Sequence, residues 1–69
     1  MHLELGKHYR IIFDNGTKIA GELMDIKLIG EEIYSLWIDI GMQPVYITYR
    51  DVKEILEIDS YENEIKTLN

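Results

Sequence analysis

The chain contains no cysteine, a single proline, a single tryptophan, and only seven Lys and Arg against thirteen Asp and Glu. Each shortage removes a class of answer. Without cysteine there is no disulfide framework and no thiolate zinc site, which fits a reducing compartment. No apolar run reaches the roughly 18 residues that a membrane-spanning helix needs. The start, MHLELGKHYR, lacks the layout of a signal peptide. A soluble, cytoplasmic protein is therefore expected, with no membrane partner. The net charge of −6 opposes phosphate backbones, whose nonspecific binding is driven by basic patches.

Reactive constellations are also scarce. His2 and His8 are the only histidines, and a metal pair there would need further ligands. Asp14, Asp25, Asp39 and Asp51 fall in separate elements, and Asp14 and Asp51 read as turn formers. Ser35 and Ser60 have no histidine near them in sequence. No glycine-rich phosphate loop is present. These observations point to a non-enzyme with no catalytic residues, no metal and no cofactor.

What the chain does hold is strand. Its 69 residues make one domain that buries only about 60% of its unfolded surface, a marginal core that favours assembly. β-Branched and aromatic residues are dense and turn signals recur. Strands are expected near 8–13, 18–28, 33–40, 45–49 and 53–58, so residues 1–58 form a small β-barrel. The tail, 59–69, is different. Tyr61, Ile65 and Leu68 follow helical spacing and Asp59 with Glu62 resembles a capping box, so a short C-terminal helix or a frayed tail is expected.

The first hairpin is informative. A two-residue Asn15-Gly16 turn would set Phe13 against Lys18 and Tyr9 against Glu22, mixing apolar and charged side chains. A longer connection, Asp14 to Lys18 with Gly16 left-handed, separates the faces. It pairs Phe13 with Ile19, Ile11 with Gly21, Tyr9 with Leu23, and Arg10 with Glu22. Gly21 then marks a bend or a close backbone approach. The inward set Ile19, Gly21, Leu23 continues as Met24, Ile26, Leu28, which requires a bulge between residues 23 and 24. A long bent second strand is how a five-stranded sheet closes on itself. In the third strand Tyr34, Leu36, Ile38 and Ile40 read inward, and Ser35, Trp37 and Asp39 outward. A loop of residues 41–44 pairs Ile40 with Val45 and Ile38 with Ile47, placing Trp37 beside Thr48 and diagonal to Tyr46. Arg50-Asp51 makes a tight turn, after which Val52 and Ile55 return to the core.

FDNGTKIAGEL (13–23) and VYITYRDVKEI (45–55) resemble in layout the two motifs of the Sm-like family, which includes the bacterial Hfq proteins. The resemblance covers roughly residues 8–58. It implies a five-stranded, strongly bent SH3-like barrel that joins neighbours through its fourth and fifth strands into a ring. It also implies RNA contacts after the second and fourth strands, where Lys27, Tyr49 and Arg50 stand. Two departures bear on RNA: Arg50 is followed by Asp51 where Sm proteins have Arg-Gly, and MDIKLIGEE lacks the motif's Asp and Asn in clear positions.

Trp37 and Tyr46, with Met42 in the adjacent loop, are the interface or ligand candidates, because Trp, Tyr and Met are enriched at interface cores. The C-terminal helix, a second subunit or a foreign ligand could cover them. Two functions follow. The first is a non-enzymatic, acidic, oligomeric protein-interaction or regulatory module, by analogy with small acidic proteins of phages and mobile elements. The second is an Sm-like, ring-forming RNA binder, which the acidic charge disfavours.

Overall fold

A computed structural model describes residues 2–59 and the backbone of residues 64–67. It is all-β. The strands are β1 (His8–Phe13), β2 (Lys18–Ile29), β3 (Glu32–Asp39), β4 (Pro44–Thr48), β5 (Val52–Ile58) and a short β6 (Glu64–Thr67), with one 3₁₀ turn at Tyr49–Asp51. They form one antiparallel sheet in the order β4-β3-β2-β1-β5-β6.

One face of this sheet carries the core. Tyr9 and Ile11 of β1, Leu23 of β2, Leu36 and Ile38 of β3, Ile47 of β4 and Ile55 of β5 are each no more than 2% exposed and form one cluster. A flat single sheet could not bury its own face so fully, so the sheet curls around the cluster. It does not close: β4 and β6 are its edges. The expected closed barrel is thus corrected to an open, curled sheet. The residues before β1 help to seal it. Leu3 packs against the core, and the Glu4 N–H donates to the hydroxyl of buried Tyr9 at 2.9 Å. Gly6 N–H donates to the Leu23 carbonyl, and Leu23 N–H to the Lys7 carbonyl, both at 2.9 Å.

The β1–β2 hairpin has the expected faces but a different register. Ile11 lies opposite Ile19, Tyr9 opposite Gly21, Arg10 opposite Ala20 and His8 opposite Glu22. The connection is shorter than expected. Phe13 N–H donates to the Thr17 carbonyl and Gly16 N–H to the Phe13 carbonyl, both at 2.9 Å. Gly16 is left-handed (φ 89°), and the Asn15 side chain accepts from Thr17 N–H at 2.9 Å. A three-residue loop of this kind satisfies its own backbone. The shift of two residues leaves every side chain on its face and places the bulky Tyr9 across from a glycine. Gly21 is the expected close approach: a Cβ there would collide with the Asp39 carbonyl oxygen and lie 2.8 Å from Ile38 Cγ2.

β2 bends where its apolar phase changes. Leu23 pairs with Ile38 and Asp25 with Trp37, so Met24 is the extra residue of a bulge. Beyond the bulge the expectation fails in part, because β2 runs past the core: Met24 and Leu28 are exposed, while Ile26 packs inward. A second bulge carries Tyr34 out of the core, since Lys27 pairs with Ser35 and Leu28 with Ile33. Ile40 also lies at the surface rather than inside.

The 3₁₀ turn follows β4 as expected; Val52 and Ile55 return to the core. Asp14 N–H donates to the Asp51 carbonyl at 3.0 Å, tying the first loop to this turn. The expected C-terminal helix is corrected over Glu64–Thr67, which is extended and pairs with Leu56–Ile58. An isolated one-turn helix is marginal in water, whereas a strand edge offers ready backbone partners. The Asp59–Glu62 capping box and the Tyr61 and Leu68 positions involve residues outside the described set. Because β6 covers part of β5, the expected edge pair of strands four and five becomes β4 and β6.

Candidate functional site

The most distinctive surface is the outer face of β2, β3 and β4, and the β3–β4 turn sets its geometry. Ile40 N–H donates to the Gln43 carbonyl at 3.0 Å, leaving Gly41 and Met42 as a two-residue turn. Both are left-handed, with φ of 100° and 63°, the pattern of a turn that follows the strand twist. The register is again two residues from expectation: Ile38 pairs with Val45, Leu36 with Ile47 and Trp37 with Tyr46. Hydrogen-bonded and non-hydrogen-bonded pairs alternate along an antiparallel ladder. Since Ile40 and Gln43 are bonded, Trp37 and Tyr46 occupy a non-bonded site, where side chains approach closest. Their ring centroids are 5.2 Å apart at 31°. Trp37 is therefore a direct cross-strand partner of Tyr46 rather than a diagonal one.

Two cavities flank the Trp37 ring. One, of about 270 Å³, is lined by Met24, Trp37, Asp39, Met42 and Pro44. The other, of about 250 Å³, is lined by Asp25, Lys27, Tyr34, Ser35, Trp37 and Tyr46. Trp37 is half-buried between them, while Tyr46 is 71% and Met42 96% exposed. Trp37 Nε1 and Asp39 Oδ1 are buried and have no hydrogen-bond partner among the described residues. The Lys27 ammonium lies 5.9 Å from the Tyr34 ring centroid, within reach of a cation–π contact. The Asp25 side chain accepts from Ile26 N–H at 2.8 Å, supporting the β2 bulge.

The three interface candidates, Trp37, Met42 and Tyr46, thus gather on one face. The RNA-contact set does not gather in the same way. Lys27 lines the second cavity, but neither Tyr49 nor Arg50 is among the described lining residues of either one. Tyr49 packs against the core from the 3₁₀ turn and Arg50 is exposed there. Met24, Tyr34, Asp39 and Pro44 belong to the site but were not singled out from sequence. For Met24 a signal existed, because the residue at a phase change is the one a bulge turns outward.

Among the described residues, no group of three or more His, Asp or Glu side chains converges as a metal site would require. The shifted ionisations lie elsewhere. The Lys7 ammonium, 2.8 Å away, and His2 hold the Glu4 carboxyl below its usual range, and Glu4 and Glu57 raise Lys7. No helix among the described residues is long and apolar enough to cross a membrane. No protein-family model, no curated protein and no solved structure matches the chain.

Proposed function

We propose that this chain is a non-enzymatic, acidic protein-interaction module of regulatory type. It acts as a homo-oligomer and contacts protein surfaces through Trp37, Tyr46 and Met42. The observation that carries this reading is the cross-strand Trp37–Tyr46 pair, flanked by two cavities and by the exposed thioethers of Met24 and Met42. Aromatic anchors beside adaptable methionines are the composition of interface cores. A small core without staples adds the reason to assemble. Light scattering and acrylamide quenching of Trp37 test it together. An oligomer with a shielded Trp37, broken by Tyr46→Ser with Met42→Ser, is expected. A stable monomer at micromolar concentration with a freely quenched Trp37 would reject it.

The second reading is the Sm-like RNA binder. The bent β2 and the strand order β4-β3-β2-β1-β5 support it, as does Lys27 beside two aromatic rings. The net charge of −6 weighs against it. Tight, salt-sensitive retention of short U-rich or A-rich RNA in a filter-binding titration would place this reading first.

A further inference from the structure

The edge of β4 borders a second feature, apart from the outer aromatic face. A cleft of about 480 Å³ is lined by Phe13, Asp14, Asn15 and Thr17 on one side and by Tyr46, Ile47, Thr48 and Asp51 on the other. Tyr46 and Ile47 point their side chains to opposite faces of the sheet. The surface that three consecutive β4 residues share is therefore the strand's own edge. The cleft lies where the curled sheet fails to close, between this edge and the β1–β2 turn. The bond from Asp14 N–H to the Asp51 carbonyl (3.0 Å) holds its two acid-bearing loops together.

The ladder identifies which backbone groups face the cleft. Ile40 and Gln43 are a bonded pair, so Val45 and Ile47 turn their N–H and C=O toward β3. Tyr46 turns both of its groups, and Thr48 its N–H, away from it, toward the open edge, while the Thr48 carbonyl opens the 3₁₀ turn. Such an edge is a template for an added strand. Among the described residues the lining includes two carboxylates, Asp14 and Asp51, and no lysine or arginine.

We propose that this cleft receives an extended basic segment of another protein, which pairs with β4 through Tyr46 and Thr48 and directs a lysine or arginine toward Asp14 and Asp51. Side chains of an added strand alternate between faces. The segment's other set therefore lies beside the Tyr46 ring and is best apolar. Charge selects this occupant over a second copy of the chain. A second copy's β4, PVYIT, has no cation to set against Asp14 and Asp51; a basic partner is drawn in by the net charge of −6. The inference rests on the reading of the chain as a protein-contact module but uses the β4 edge, which shares Tyr46 with the outer face.

The test uses the intact chain and an N-acetylated hexapeptide alternating lysine and valine, with a glutamate–valine hexapeptide as control. Amide exchange at Tyr46 and Thr48 is followed by NMR. The lysine peptide is expected to slow both amides by about tenfold or more, and Asp14→Asn with Asp51→Asn to weaken its binding by about tenfold, a loss of about 1.4 kcal/mol. The glutamate peptide is expected to leave both amides unchanged. Absence of slowing at saturating peptide, or equal protection by both peptides, would overturn the proposal. Protection that grows with protein concentration alone would overturn it in favour of self-pairing. Trp37→Ala separates the two surfaces: it disables the outer face and is expected to leave peptide protection at Tyr46 and Thr48 in place. Peptide protection without any effect of the outer-face variants on assembly would retire the proposed function and leave the cleft; the converse result would retire the cleft alone.

Discussion

The turn at Asp14-Asn15-Gly16 and the turn at Gly41-Met42 both reverse the chain through left-handed backbone, but the first confines it to a glycine, whereas the second also holds Met42 left-handed. Gly16 supplies the positive φ, and the Asn15 side chain caps the loop by accepting from Thr17 N–H. The second turn places Met42 at φ 63° and leaves its side chain 96% exposed. A left-handed, unbranched apolar residue costs about 1 kcal/mol or more, and no burial offsets it. The first turn follows the rules of local stability. The second gives up local stability and places a thioether at the cavity beside Trp37.

The contrast depends on both hairpins being anchored to the same sheet, and that anchor can be broken most severely. Gly21 sits opposite Tyr9 and against the Asp39 carbonyl of β3. Gly21→Val forces backbone apart and is expected to cost about 3 kcal/mol or more, or to prevent folding; a denaturant melt close to that of the parent would disprove the close approach. Next is Trp37→Ala. Removing a half-buried ring between two cavities should cost about 2 kcal/mol, below the range for a fully buried aromatic. An effect under about 0.5 kcal/mol, the range of ordinary surface substitutions, would mean that Trp37 contributes to binding alone.

The turns themselves should respond with opposite signs. Gly16→Val is expected to destabilise by about 1–2 kcal/mol, because a β-branched residue resists positive φ. Met42→Gly relieves the same kind of strain and is expected to raise stability by about 0.5–1 kcal/mol while weakening assembly. If both substitutions moved the melt in the same direction, the distinction between the turns would collapse.

The smallest effect concerns pH. Glu4 is held below its ordinary value of 4.5, first by its hydrogen bond to Lys7. A carboxylate whose folded pKa is depressed contributes stability above its unfolded pKa and loses it as pH falls through the folded one. Glu4 and Lys7 are about half exposed, so salt should suppress their interaction. A shallow loss of stability below about pH 4.5, abolished by Glu4→Gln, is expected at low salt; persistence of that loss in the variant would assign it to other carboxylates.

Several elements are legible in the sequence. The strand positions followed from β-branched density, the β2 bulge from the phase change after Leu23, and the left-handed Gly16 from the need to keep Lys18 off the apolar face. The seal that Glu4 N–H makes on the Tyr9 hydroxyl was not legible, because a backbone donor reaching a side chain five residues away carries no sequence signature. The same holds for Tyr34. Its place in the alternation of β3 read as inward, and only the pairing of Lys27 with Ser35 and Leu28 with Ile33 moved it outward. The Tyr61, Ile65 and Leu68 spacing suggested a helix, but the free edge of β5 from Leu56 to Ile58 drew Glu64–Thr67 into a strand.

The sequence by itself determined which face of each central strand is apolar, and so which side chains can meet: Tyr9, Ile11, Leu36, Ile38 and Ile55 inside, Trp37 and Tyr46 outside. It did not determine the register. Alternation repeats every two residues, so pairings that differ by two preserve every face and are equivalent in the sequence pattern. In both hairpins the expected and observed registers differ by that interval: Ile11 meets Ile19 rather than Gly21, and Trp37 meets Tyr46 rather than Thr48. In the observed register each turn closes its own backbone hydrogen bonds, Phe13 N–H to the Thr17 carbonyl and Ile40 N–H to the Gln43 carbonyl. The same register places glycine where Tyr9 and the Asp39 carbonyl leave no room for a side chain.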